Sequence, residues 1–143
     1  MIAVDTNILV YAHREESPFH SNAYVAVGHL AQGPATWAIP WPCVHEFLNV
    51  MTNSRVFAMP TPLNEALTQV LEWTRSPSLA LLAETQSYWE ILHRILGSSR
   101  VTGPQVHDAR IVALCLQHAV TELWSADRDF NLFADLKVTN PLT

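Results

Sequence analysis

Short apolar runs alternate along this chain with longer amphipathic stretches. Ile2-Ala3-Val4, Trp37-Ala38-Ile39, Leu79 to Ala83, Glu122-Leu123-Trp124 and Leu136-Lys137-Val138 are brief and mostly apolar, which predicts strands. Six helices are expected around them. The first runs from Thr6 to Arg14. The second opens at Ser17-Pro18, with Ser17 as cap and Pro18 at the first helical position, and ends at Gln32 before Gly33-Pro34. A third starts at Pro42 and carries Val44, Phe47, Leu48 and Met51 as a core stripe. A fourth follows Thr61-Pro62, with Glu65 at capping-box distance and Leu63, Ala66, Leu67, Val70 and Leu71 as its apolar positions. That stripe reads mainly as core, with part available to a partner. The fifth runs from Thr85 to Leu96, ended by Gly97. The sixth opens at Thr102-Gly103-Pro104-Gln105, another capping-box spacing, and ends near His118. Strands alternating with helices imply βαβ crossovers and a parallel sheet covered on both faces. The expected fold is a three-layer α/β/α arrangement, with a central, mainly parallel sheet of four to five strands and residues 1–143 as a single domain.

In such sheets ligands bind beyond the carboxyl ends of the strands, and four acids fall there. Asp5 ends the first strand, Asp127 lies just past the fourth, and Glu46 and Asp108 sit early in their helices. Carboxylates held close together raise one another's pKa unless protons or a cation share the site. Hard oxygen ligands select Mg²⁺ or Mn²⁺ over Zn²⁺, and such ions suit phosphodiester hydrolysis. Each acid alone has a plainer reading. Asp5 can cap a helix, Glu46 can be a solvated helix residue, and Asp127 and Asp129 can cap the turn that starts at Ser125.

Charge sharpens the picture without deciding it. Thirteen acids against eight bases give −5, which argues against nucleic acid at first sight. Setting aside Asp5, Glu46, Asp108 and Asp127 leaves nine acids against eight bases, so a cation-loaded surface would be nearly neutral. No stretch approaches the ~20 apolar residues of a membrane helix. The start lacks the basic region and cleavage site of a secretory signal. Cys43 and Cys115 show no ligand spacing and read as buried thiols, so a cytoplasmic location is expected, with no membrane partner.

Four segments in order resemble the PIN-domain ribonucleases, in particular the VapC toxins of toxin–antitoxin pairs. They are Val4-Asp5-Thr6-Asn7, Glu46-Phe47, His107-Asp108-Ala109 and Trp124-Ser125-Ala126-Asp127-Arg128-Asp129-Phe130, and the likeness spans nearly the whole chain. The resemblance implies an acidic site of Asp5, Glu46, Asp108 and Asp127, with Asp5 and Asp108 most directly tied to Mg²⁺. It also implies Asp129 as an accessory acid and Thr6, Asn7 and Ser125 as polar groups that orient carboxylates or water. The implied activity is hydrolysis of RNA, often tRNA or rRNA, by metal-activated water, leaving a 5′-phosphate and a 3′-hydroxyl. The implied partners are a second copy in a homodimer and a VapB-type antitoxin. One departure is local: the run Trp41-Pro42-Cys43-Val44-His45 precedes Glu46 where many family members carry small hydroxyl residues.

Other residues have less specific signals. His45 and His107 each precede a site acid. Arg14, Arg55, Arg110 and Arg128 are candidates for phosphate contact. Among the five tryptophans, Trp124 reads as core and Trp41 is the best base-stacking candidate. Two other functions share these features: a structure-specific DNA nuclease with the same acids, and a catalytically silent RNA- or protein-binding module. A phosphotransfer receiver or aspartyl-phosphate phosphatase is disfavoured, because those folds need a paired acid motif and a downstream Lys, and Lys137 is the only lysine.

Overall fold

The computed structural model describes residues 1–143. Its elements are β1 (Ile2–Val4), α1 (Thr6–His13), α2 (His20–Gln32), β2 (Trp37–Pro40), α3 (Trp41–Met51) and α4 (Leu63–Thr74). They continue with β3 (Leu79–Leu82), α5 (Tyr88–Ser98), α6 (Gln105–Gln117), β4 (Glu122–Trp124), a 3₁₀ helix (Arg128–Leu132) and β5 (Lys137–Thr139). The five strands form one all-parallel sheet in the order β3-β2-β1-β4-β5. This is the parallel α/β arrangement that the alternation of patterns predicts.

Strand order explains the layers. The chain steps from β1 to β2 to β3 in one direction, then jumps back to β4 on the far side of β1. Right-handed crossovers therefore put α1 to α4 on one face and α5 with α6 on the other. The packing agrees: α1 meets α2 and α3, α3 meets α4, and α5 meets α6. The reversal between β1 and β4 is the point where a crevice opens at the carboxyl edge of such a sheet. Below it lies a core of 30 buried residues, with Trp37, Phe47, Ile8, Leu9, Ile39 and Phe130 among the largest side chains. No helix is long and apolar enough to cross a membrane.

Several boundaries differ from the sequence expectation. The α2 helix starts at His20 rather than Pro18, because Ser17 closes a turn instead of capping. Its Oγ accepts from the Phe19 amide and its carbonyl from the His20 amide. Phe19 packs against Tyr11 and His20 bonds the Tyr11 carbonyl, so α1 sets where α2 begins. Thr61 does not join a capping box. Its buried hydroxyl accepts from Arg14, and α4 is entered through Pro62 with no side-chain cap. Pro40 ends β2 from inside the strand, one position where a missing amide is harmless, since pairing with β1 stops at Ala38. Gly97 lies within α5, which starts at Tyr88 rather than Thr85. β5 is shifted one residue, to Lys137–Thr139. At the start of α6 half of the capping box forms: the Gln105 side chain accepts from the Thr102 amide.

Candidate active site

Neighbouring strands bring the first two groups together. Val4 pairs with Trp124, so Asp5 and Ser125 leave the sheet side by side. The ladder continues one step further, from the Asp5 amide to the Trp124 carbonyl at 2.9 Å and from the Ser125 amide to the Thr139 carbonyl at 3.0 Å. Asp5 stands at the N-cap position of α1 but makes no side-chain capping bond. Its buried carboxylate accepts instead from Ser125 Oγ at 2.7 Å, Asn7 Nδ2 at 3.2 Å and the Cys43 thiol at 3.6 Å. Asn7 also donates to Ser125 Oγ and accepts from the Ala126 amide, while Ser125 Oγ accepts from the Asp127 amide. One polar knot thus ties the ends of β1 and β4 and fixes the direction of Asp5.

Helix starts supply the remaining acids. Glu46 lies on the second turn of α3, and its Oε2 accepts from the buried Thr6 hydroxyl at 3.2 Å. Asp108 lies in the first turn of α6. Asp127 leads into the 3₁₀ helix, and its Oδ1 accepts from the Asp129 amide at 2.9 Å. Capping therefore describes Asp127 in part and leaves its other oxygen without a hydrogen bond. Oxygens of Asp108, Asp127 and Asp129 lie within 4.8 Å of one another. Asp129, expected as an accessory acid, thus shares this cluster with Asp108 and Asp127.

All five acids line one cleft of about 880 Å³, together with Thr6, Asn7, His45 and His107. Ser125 stays buried beneath Asp5. Arg110 is the only arginine or lysine in the cleft lining. Positive charge is therefore scarce among these carboxylates. Burial pushes the Asp5 carboxyl up to about 6, against the pull of the Ser125 bond and with the Glu46 charge adding to the rise. Burial also raises Asp108 to about 6, reinforced by Asp127, Asp5, Asp129 and Glu46. A set of hard carboxylate oxygens, of which those of Asp108, Asp127 and Asp129 converge within 4.8 Å, fits a divalent ion.

Some residues take roles the sequence did not announce. Cys43 is fully buried, as expected, but its thiol supplies a polar hydrogen to Asp5, and burial raises its pKa well above the ordinary thiol value. Its place three residues before Glu46, on one helix face, is the signal that could have marked it. Asn49 lines the cleft by the same spacing, three residues after Glu46. Arg14 is no phosphate contact candidate in this arrangement. It pairs with Glu16, lies 3.9 Å over the Phe57 ring and donates to the Met59 carbonyl and Thr61. It pins the loop between α3 and α4, whose Val56 and Phe57 form one wall of the cleft. Trp124 is only partly buried, though it packs against the core.

The chain is similar to known proteins over nearly its whole length. The PIN domain model matches residues 2–136. Ribonuclease VapC33 of Mycobacterium tuberculosis is 31% identical over 142 residues, covering 99% of each chain. Among solved structures, Mycobacterium tuberculosis VapC20, described as a sarcin–ricin loop cleaving toxin, superposes with a TM-score of 0.67 at 16% identity, covering 96% of this chain and 99% of the other. VapBC2 from Rickettsia felis, bound to a DNA fragment from its promoter, gives a TM-score of 0.66 at 18% identity over 98% of each chain. At those identities the two structures speak for the fold alone. A family match over nearly the whole length, joined to a full-length relative above 30% identity, settles the lineage: the chain belongs to the PIN-domain family, in its VapC branch.

Proposed function

We propose that this protein is a Mg²⁺- or Mn²⁺-dependent endoribonuclease, the toxin of a cytoplasmic toxin–antitoxin pair, acting on tRNA or rRNA through Asp5, Glu46, Asp108 and Asp127. The observation that carries the reading is the gathering of these acids, with Asp129, in one cleft that holds a single arginine. Its VapC33 relative is named a ribonuclease, which supports RNA as the substrate class. A divalent cation, when bound, supplies the positive charge that draws in a phosphodiester and eases deprotonation of water.

The chain's own residues do the rest. Asp5, Asp108 and Asp127 offer the oxygens that would hold the ion, with Glu46 at its side. Ser125, Asn7 and Cys43 hold Asp5 in one orientation, and removing such supporting bonds typically costs 10- to 100-fold in metal affinity or activity. Thr6 occupies one Glu46 oxygen and leaves the other to orient a water for in-line attack. Asp129 stands beside Asp108 and Asp127 as an accessory acid. Arg110 is placed to balance phosphate charge at the cleft wall.

Partners follow from the surface. Leu63, Leu67 and Leu71 recur every four residues on α4 and are each about half exposed, at 57%, 49% and 51%, while Ala66 and Trp73 face the core. The apolar stripe expected as mainly core is thus divided, and its outer half suits a second copy in a homodimer or a VapB-type antitoxin. Cleavage of single-stranded RNA in Mg²⁺ or Mn²⁺ tests the reading. It requires that EDTA abolish cutting and that Asp5→Asn and Asp108→Asn lose at least about 100-fold. Variants as fast as the parent, or cutting untouched by EDTA, would reject it. Preference for flap DNA over RNA would make the chain a DNA nuclease, and no cutting of either a silent binding module.

A further inference from the structure

A second, smaller cavity of about 180 Å³ adjoins the acidic cleft. Pro42 and Arg110 line both, so the two share a wall. Leu82 and Leu114, both buried in the core, contribute its apolar floor. Trp41, the first residue of α3, gives it a flat aromatic wall and keeps 38% of its surface exposed. At the rim, Arg110 Nε meets Glu84 Oε1 at 3.3 Å, and both side chains remain substantially exposed. Neither Trp41 nor Glu84 belongs to the acid cluster.

From this juxtaposition we propose that the Trp41 cavity is a nucleobase subsite, which holds the unpaired base next to the scissile phosphate and favours guanine. The inference rests on the ribonuclease reading and names a specificity element within it. An exposed indole lining the same cavity as Leu82 and Leu114 offers the stacking surface on which single-stranded bases sit. The cavity, about 180 Å³ and open to solvent, is of the order of one base in size. Arg110 belongs to both chambers, so its guanidinium can meet the phosphate while the attached base turns into the smaller one. Glu84 supplies the selection. Its Oε1 faces Arg110, and the carboxylate accepts hydrogen bonds only. Guanine alone presents two adjacent N–H donors, N1–H and the exocyclic amine, on its Watson–Crick edge. Adenine and cytosine present one donor group beside an acceptor, and uracil one donor between two acceptors.

The test measures binding and cleavage together, in Mn²⁺, with fluorescein-labelled single-stranded pentaribonucleotides differing only in the central base. Stacking on one aromatic residue is worth about 5- to 150-fold in affinity. Trp41→Ala should therefore weaken binding of the guanosine oligonucleotide at least about fivefold, and raise KM rather than lower kcat. Trp41→Phe should restore most of it. Glu84→Gln should bring guanosine down to the level of the other three bases without weakening those, a change that loss of folding would not mimic. Equal affinity of all four oligonucleotides for the parent, or Trp41→Ala and Glu84→Gln binding as the parent does, overturns the subsite. Guanosine binding that depends on Trp41 and Glu84 without any cleavage keeps the subsite and rejects the nuclease. Cleavage indifferent to both residues keeps the nuclease and rejects the subsite.

Discussion

Ser125 does more with one hydroxyl than its size suggests. It donates to Asp5 at 2.7 Å and accepts from Asn7 and from the Asp127 amide, all while nearly fully buried. Ser125→Ala would leave a buried carboxylate short of a donor and a backbone amide short of an acceptor. Unsatisfied buried groups cost about 1–3 kcal/mol each, so urea denaturation should show a loss in that range. Mn²⁺ affinity should fall about 10- to 100-fold with it. Cys43 makes the milder counterpart: Cys43→Ser keeps a donor against Asp5 and should retain metal affinity, whereas Cys43→Val should not. Equal behaviour of these two variants would show that the 3.6 Å thiol contact has no part in holding Asp5.

Elements differ in how far the sequence declares them. The strand cores at Ile2-Ala3-Val4, Trp37-Ala38-Ile39 and Glu122-Leu123-Trp124 are legible because local pattern and burial agree. So is the position of Asp5 and Asp127 beyond strands, since the sheet-edge rule needs only the strand ends. The start of α2 is not legible, because Tyr11 on α1 decides it through Phe19 and His20. The missing capping box at Thr61 is a matter of spacing, since Glu65 lies four residues on and the cap position of α4 falls to Pro62, which has no side-chain acceptor. Asp129's closeness to Asp108 is also tertiary, since the 3₁₀ turn must be docked against α6 before the two meet. The outer face of α4 carries a prediction at this scale. Leu67→Glu with Leu71→Glu changes exposed positions, so monomer stability should move by no more than about 0.5 kcal/mol. Size-exclusion chromatography should then show a dimeric parent and a monomeric variant. A variant that elutes as the parent does would remove α4 from the interface.

At the scale of the whole molecule, the acidic cleft couples stability to pH and to metal. Asp5 and Asp108 have raised pKa values near 6, against an ordinary 3.8, so in that window the folded chain binds protons more tightly than the unfolded one. Their contribution is fully present below the ordinary value and is lost as pH rises through about 6. For buried Asp5 the loss is on the order of 2–3 kcal/mol. Metal-free parent should thus melt at lower temperature at pH 7.5 than at pH 5. Asp5→Asn should flatten that slope, and Mn²⁺ should raise Tm more at the higher pH. The most direct test of the central claim, that these carboxylates together hold a divalent ion, is calorimetric titration of Mn²⁺ into parent, Asp5→Asn and Asp108→Asn proteins at pH 7.5. Saturable binding by the parent, weakened at least about tenfold in each variant, is the predicted result. Variants that bind Mn²⁺ as tightly as the parent, or a parent that does not bind it at all, would contradict the account.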